Sequence, residues 1–315
     1  MHRLLRITGA WPYLIAIFLN AFVDLGHKIV IQNTIFKSYD GEAQVVLTAL
    51  VNGLILLPFI LLFSPAGHVA DSYPKVCVLR TSAWAAVAVS LGITAAYYQG
   101  WFWLAFSMTL LLAIQSAFYS PAKYGLVKGL FGKPRLAEAN GLIQAVTIGA
   151  ILAGTVAFTA LFESWVSPED QTPAQLLRQI APLGWLLVLN SALQVVTLYR
   201  LPLDNTARSE LPLTWQRYIK GTALKDNLRI IAHQPVIRLS IIGLATFWSV
   251  GQVLLAAFPA YAKDALSIDN TLVLQSIIAA SGIGIALGSL FASKLSHNRI
   301  ETGLIPVGAV GVAVG

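Results

Sequence analysis

Apolar runs separated by short polar stretches set the rhythm of this chain, and most are long enough to cross a hydrocarbon core of about 30 Å, which takes roughly 20 helical residues. The pattern predicts helices over 12–36, 45–66, 76–97, 101–119, 138–162, 181–200, 236–261 and 271–293, with a ninth starting at 302. Alternating strands of the kind a membrane barrel needs are not seen in the sequence. The expected fold is therefore an all-α polytopic membrane protein. Pro12 falls near the first helix's start, where its missing N–H costs nothing. Pro58 lies inside the second helix and should kink it, and Pro121 should end the fourth.

Composition agrees with this reading. The chain is 57% hydrophobic and 11% charged, against about 25% charged in soluble domains. Its mean hydropathy is +0.71. A net charge of +7 raises the question of a nucleic-acid partner, but the basic residues gather in alternate loops. That is the positive-inside pattern of a membrane protein. Seventeen of the 21 basic residues fall on the side of the N-terminus, and Lys37, Arg178 and Lys263 on the other, with Lys28 inside a helix. A cytoplasmic N-terminus and no nucleic-acid partner are expected. The single cysteine, Cys77, excludes an internal disulfide and a multi-cysteine metal site. Arg3 and Arg6 precede the first apolar run as in a signal peptide, but the run is too long and lacks a small-residue cleavage site. It reads as a retained helix.

The layout divides into a six-helix half (1–200), a basic linker (201–235) and part of a second half (236–315). Two helical halves joined by a long loop suit a transporter. A helix begun at 302 and cut at Gly315 is too short to span, so the chain is expected to be a fragment or truncated product. In the linker, Trp215, Ile219, Leu224, Leu228 and Ile231 share one helical face over 211–233. A helix lying on the membrane surface fits that pattern, and so does a solvated linker helix.

The turn "GHVADSYPKVCVLR" (67–80) joins the second and third helices on the basic side. Gly67 allows close helix approach, Asp71 can cap the next turn, and Lys75 and Arg80 hold the cytoplasmic face. The order resembles the loop signature of the major facilitator superfamily, although Ser72 and Pro74 interrupt it. That resemblance implies a loop that braces and gates two halves; a plain tight turn is the alternative. "ALGSLFASKLS" (286–296) is a weak echo, with Gly288 matching Gly67 and Ala292 in place of the aspartate.

The stretches "YSPAKYG" (119–125), "ANGLI" (139–143) and "AILAGT" (150–155), with "FLNAF" (18–22) and Asp24, are more specific. They resemble the lysophospholipid transporter branch of that superfamily, including forms fused to an acyltransferase and an acyl-carrier-protein ligase. The likeness covers most of residues 12–160, and Gln144 stands where members often carry an acidic residue. It implies a carrier that moves lysophospholipids inward across a bacterial inner membrane, toward a fused or separate acyltransferase. Lys123, Lys128, Lys133 and Arg135 form a basic rim that suits lipid phosphates, or that serves orientation alone. Gly141, Gly149, Ala153, Gly154 and Ala157 offer close helix packing.

Candidate chemistry sits in the first helix. Asn20, Asp24, His27, Lys28 and Gln32 fall at about 0°, 40°, 340°, 80° and 120° around it, a single polar stripe. Asp24 lies 12 residues past Pro12, hence about 18 Å deep. Charged groups at that depth are costly and are usually functional. Asp24 and Lys28 can pair along the helix. The stripe either lines a cavity for a polar headgroup, with Gln144, or holds helices together as a buried pair.

No histidine is followed five residues later by aspartate, and no phosphate-binding G-x-x-x-x-G-K-[ST] loop exists. "GIGIALG" (282–288) has the wrong spacing for a dinucleotide site, and the five histidines lack ligand spacing. No catalytic residues, cofactor or metal are expected. A polar-solute or drug carrier, or a membrane anchor for a fused enzyme, are the alternatives.

Overall fold

The computed structural model describes residues 4–167, 172–202, 220–280 and 310. The end bearing Tyr39 and Gly100 and the end bearing Pro74 and Arg200 lie on opposite sides of the bundle, and are named here for Tyr39 and Arg80.

Helix α1 (Ala10–Ser38) starts after Gly9, whose φ of 89° turns the chain into it. It packs against α2 (Gly41–Leu61), α5 (Phe102–Phe131), α6 (Leu136–Trp165) and α8 (Leu183–Tyr199). The second predicted helix is broken: α2 stops at Leu61, Leu62 leaves helical geometry, and α3 (Phe63–Ser72) resumes. Pro58 cannot donate to the carbonyl of Leu54, which weakens the turn before the break. Helix α4 (Lys75–Gln99) ends on Gly100, at a left-handed φ of 69°.

Pro121 does not end α5, which runs on to Phe131. One missing N–H is tolerated in a membrane helix because neighbouring helices re-satisfy the freed backbone. The sixth span is a bent pair, α7 (Pro173–Gln179) and α8, at 59°. Thr172 and Gln175 form a capping box at the start of α7. Within the stretch expected as the linker lies α9 (Thr222–His233), followed by α10 (Pro235–Asp264) and α11 (Thr271–Ala280). Residues 211–219, the end of the predicted eighth helix, the ninth, and the 286–296 echo lie outside the described residues. There are no strands among the described residues, and six helices are long and apolar enough to span, or seven with the bent pair as one.

Because these helices are apolar all round, their packing rests on small residues and polar pairs rather than on one greasy face. A Cβ on Gly26 would lie 2.3 Å from the Phe158 ring, so glycine there sets how closely α1 meets α6. Gly154 touches Phe22 and Leu25, whereas Gly67, Gly141 and Gly149 face open space, so the expected close approach at Gly67 is absent. Two apolar cores stack along the bundle. One, with Tyr13, Ile17, Leu79, Leu126 and Leu198, fills the Arg80 end. The other, with Ile31, Ile35, Tyr97, Phe158 and Phe162, fills the Tyr39 end. At that end Trp101, Trp103 and Trp185 are exposed, as in an aromatic membrane belt. The chain is a multi-pass membrane protein.

Candidate functional site

A polar layer separates the two cores, and α1 supplies its centre. Asn20 Nδ2 donates to Asp24 Oδ2 at 3.0 Å and to Ser116 Oγ of α5 at 3.3 Å. Asn20 Oδ1 accepts from Gln115 at 3.2 Å and from Gln194 of α8 at 3.0 Å. Ser116 Oγ also donates to Asp24 Oδ2. Asn190 of α8 donates to the Leu19 carbonyl at 2.7 Å. Three helices are thereby cross-linked at membrane depth, where unmet polar groups cost several kcal/mol each.

The stripe does not act as one surface. His27 is fully buried within the bundle. Its Nε2 lies 3.0 Å from the Ala105 carbonyl, which can only accept, so Nε2 carries the proton and Nδ1 accepts from Tyr97 Oη at 2.8 Å. Both ring nitrogens are satisfied by protein, and Thr109 Oγ1 stands a further 3.3 Å from Nε2. Asp24 and Lys28 do not pair, contrary to the expectation from their spacing. Asp24 is held by Ser116 and Asn20, and the cation acting on it electrostatically is Lys123. Lys28 is half-buried and has no hydrogen bond or ion pair with the described residues.

Gln32, one turn beyond Lys28, donates to Asn52 Oδ1 of α2 at 3.4 Å. Asn52 is buried, and its Nδ2 has no partner among the described residues. Asp24 Oδ1 and Gln194 Oε1 are likewise buried and unpartnered. Among the described residues two unmatched donors thus stand on α1 and α2, the half-buried Lys28 Nζ and the buried Asn52 Nδ2. Two unmatched acceptors stand in the Asn20 cluster. Asn52, Gln115, Ser116 and Gln194 are uncharged polar residues in apolar helices, and nothing in the sequence sets them apart.

The other candidates lie apart. Gln144 is exposed on α6 and meets the Tyr124 hydroxyl at 3.4 Å. Lys123 is half-buried over the Tyr124 ring, and its backbone carbonyl accepts from Tyr13 Oη at 2.6 Å. Lys128, Lys133 and Arg135 are exposed at the Arg80 end, so the rim is three exposed cations and one turned inward.

In the 67–80 turn, Asp71 is exposed and does not cap α4, whose start at Pro74 has no side-chain cap. The stem of Lys75 lies over Gly125. Arg80 donates to the carbonyls of Leu198 at 3.2 Å and Leu201 at 2.9 Å and stacks on Tyr199. It closes the C-terminal end of α8, whose last carbonyls lack partners within the helix. No cluster of metal-ligating side chains occurs among the described residues.

The fold has counterparts. Residues 13–315 match the model of the Major Facilitator Superfamily. The chain is similar to the lysophospholipid transporter LplT of Enterobacter sp. (strain 638), 30% identical over 81% of this chain. It is similar also to that of Serratia proteamaculans (strain 568), 28% identical over 83%, and that of Escherichia coli (strain SE11), 27% identical over 97%. It spans 59% of the length of each of the first two and 71% of the third. Among solved structures, a bacterial homologue of the human lysosomal transporter Spinster, inward-facing and unoccupied, shares the fold. Its TM-score is 0.60 at 14% identity, covering 92% of this chain and 64% of that one. With a family model matched along nearly its whole length, on a bundle of membrane-spanning helices around a polar centre, the chain belongs to the major facilitator superfamily.

Proposed function

We propose that this protein carries lysophospholipids across a bacterial inner membrane, inward, with its N-terminus in the cytoplasm and an acyltransferase downstream to restore the second chain. The observation that carries the reading is a pair of unmatched donors on α1 and α2, the half-buried Lys28 Nζ and the buried Asn52 Nδ2. A half-buried cation with no anion beside it among the described residues favours an anionic guest, so a lipid phosphate entering there would supply charge and acceptors. The unmatched oxygens of Asp24 and Gln194 would take hydroxyl or ammonium donors of a headgroup. Gln144 and the exposed Lys128, Lys133 and Arg135 sit at the Arg80 end, where anionic lipid attracts about 1 kcal/mol per basic residue. The similar proteins named as lysophospholipid transporters support the same substrate class. The role assigned is transport rather than catalysis.

The test is uptake of labelled lysophospholipid by proteoliposomes of the full-length protein, with soluble glycerophosphodiester as competitor. Saturable uptake that the soluble compound does not inhibit is expected. No uptake would leave a membrane anchor, and strong competition would make the protein a carrier of polar solutes.

A further inference from the structure

The second half meets the first at the Tyr39 end, through groups that none of the transport chemistry uses. Glu163, in the last turn of α6, is bonded on both sides. Its Oε1 accepts from Lys37 Nζ of α1 at 2.8 Å, within the first half. Its Oε2 accepts from Thr271 Oγ1 at 2.5 Å and from the Thr271 N–H at 3.4 Å, in the second half. Lys37 repeats the arrangement, since its Nζ also donates to the Asp269 carbonyl at 2.8 Å. Lys37 therefore makes one bond within its own half and one across, and Glu163 makes one within and two across, both to Thr271.

The surroundings extend this junction. Lys263 of α10 bonds Asp40 at 2.5 Å and the Phe36 carbonyl at 3.2 Å. Gln275 of α11 donates to Asn33 of α1 at 3.0 Å, with both residues buried. Phe36 packs with Ala262 and Leu274 beneath. Asn270 caps α11 through the N–H groups of Leu272 and Val273, and the Glu163 carboxylate sits at that helix's positive end. Along α10 toward the Arg80 end, Leu239, Ile242, Trp248 and Val253 are exposed among the described residues.

We propose that Glu163, with Lys37, is a latch that holds the halves shut at the Tyr39 end and must release for the cavity to open there. Lys37 and Glu163 are about one-quarter exposed, so their bonds are partly shielded from water and still open to competition by it. Charge-assisted bonds of this kind are strong enough to bias two states and few enough to break. The latch stands whatever the cargo is.

The test uses the full chain with Cys77→Ser and a reporter Leu274→Cys, placed beneath the latch at a position 1% exposed. The measurement is the rate of reaction with a membrane-impermeant maleimide from the Tyr39 face. Glu163→Gln should raise the rate about tenfold or more, as loss of charge-assisted bonds implies. Thr271→Val keeps the Lys37–Glu163 pair and removes one bond across, so it should raise the rate by a smaller factor. Combining the two should add little to Glu163→Gln alone. Parent-like labelling in Thr271→Val would overturn the proposal, because the ion pair would then serve the first half only. Parent-like labelling in Glu163→Gln would overturn it too. Should Glu163→Gln fail to insert, Thr271→Val decides alone.

Discussion

Asp24 and Lys28 stand one turn apart on α1, yet their partners differ in kind. Asp24 is tied into the bundle by Ser116 and Asn20, and Lys28 is tied to nothing among the described residues. The polar stripe was legible in the sequence because charges in an apolar helix are conspicuous. Its division was not. A stripe about 140° wide cannot all face one cavity, and which edge turns inward depends on α4, α5 and α8, whose contacting residues are 70 or more positions away. His27 belongs to the inward edge. His27→Ala should destabilise the protein by about 2–4 kcal/mol, through lost packing and an orphaned Tyr97 hydroxyl. Thermal unfolding checks the loss, and transport per inserted molecule should be unchanged. Asp24→Asn should insert normally, being nearly isosteric, and lose transport; normal uptake by that variant would make the cluster purely structural. The double change with Lys28→Gln should not restore uptake, since the two do not compensate each other.

At the scale of elements, length and hydropathy located the spans, and tertiary contacts decided where they bend. Pro58 and Pro121 look alike in the sequence. Yet α2 gives way to α3 four residues after the first, while α5 passes straight through the second. The difference is support. Pro121 lies between Tyr119 and Ala122, both packed into the core at the Arg80 end, whereas the turn from Phe59 to Phe63 is largely exposed. Gly26 was passed over because nothing local marks it, although Phe158 leaves no room for a larger residue. Gly26→Ala should cost about 1–3 kcal/mol by overpacking. Adding Phe158→Leu should recover part of the lost thermal stability, and failure to recover would place the strain elsewhere. Arg80→Ala should cost about 1.5–3 kcal/mol by freeing the carbonyls at the end of α8. That is a stability effect, measurable without substrate.

For the whole molecule, charge placed in the loops proposes an orientation and the fold gives the three exceptions separate work. Lys37 and Lys263 tie α1 and the turn after it to α10 and the turn before α11, and Arg178 donates to the Gln99 carbonyl between α4 and α7. These cations are structural, so they do not count against the basic residues at the Arg80 end. With that end cytoplasmic, Cys77 should react with an impermeant thiol reagent in inside-out vesicles and not from outside. The reverse pattern would invert the orientation and, with it, the proposed direction. In the proposed account, orientation, latch and polar layer all bear on a headgroup path past Lys28, which has no hydrogen bond or ion pair among the described residues. The direct measurement is binding of a labelled lysophospholipid to the full-length protein and to its Lys28→Gln variant, with thermal unfolding of both. Removing a half-buried charge that has no partner among the described residues should leave stability equal or raised. Binding should fall about tenfold or more, the loss expected for a charge-assisted bond to phosphate. Undiminished binding by a stably folded Lys28→Gln variant would contradict the account.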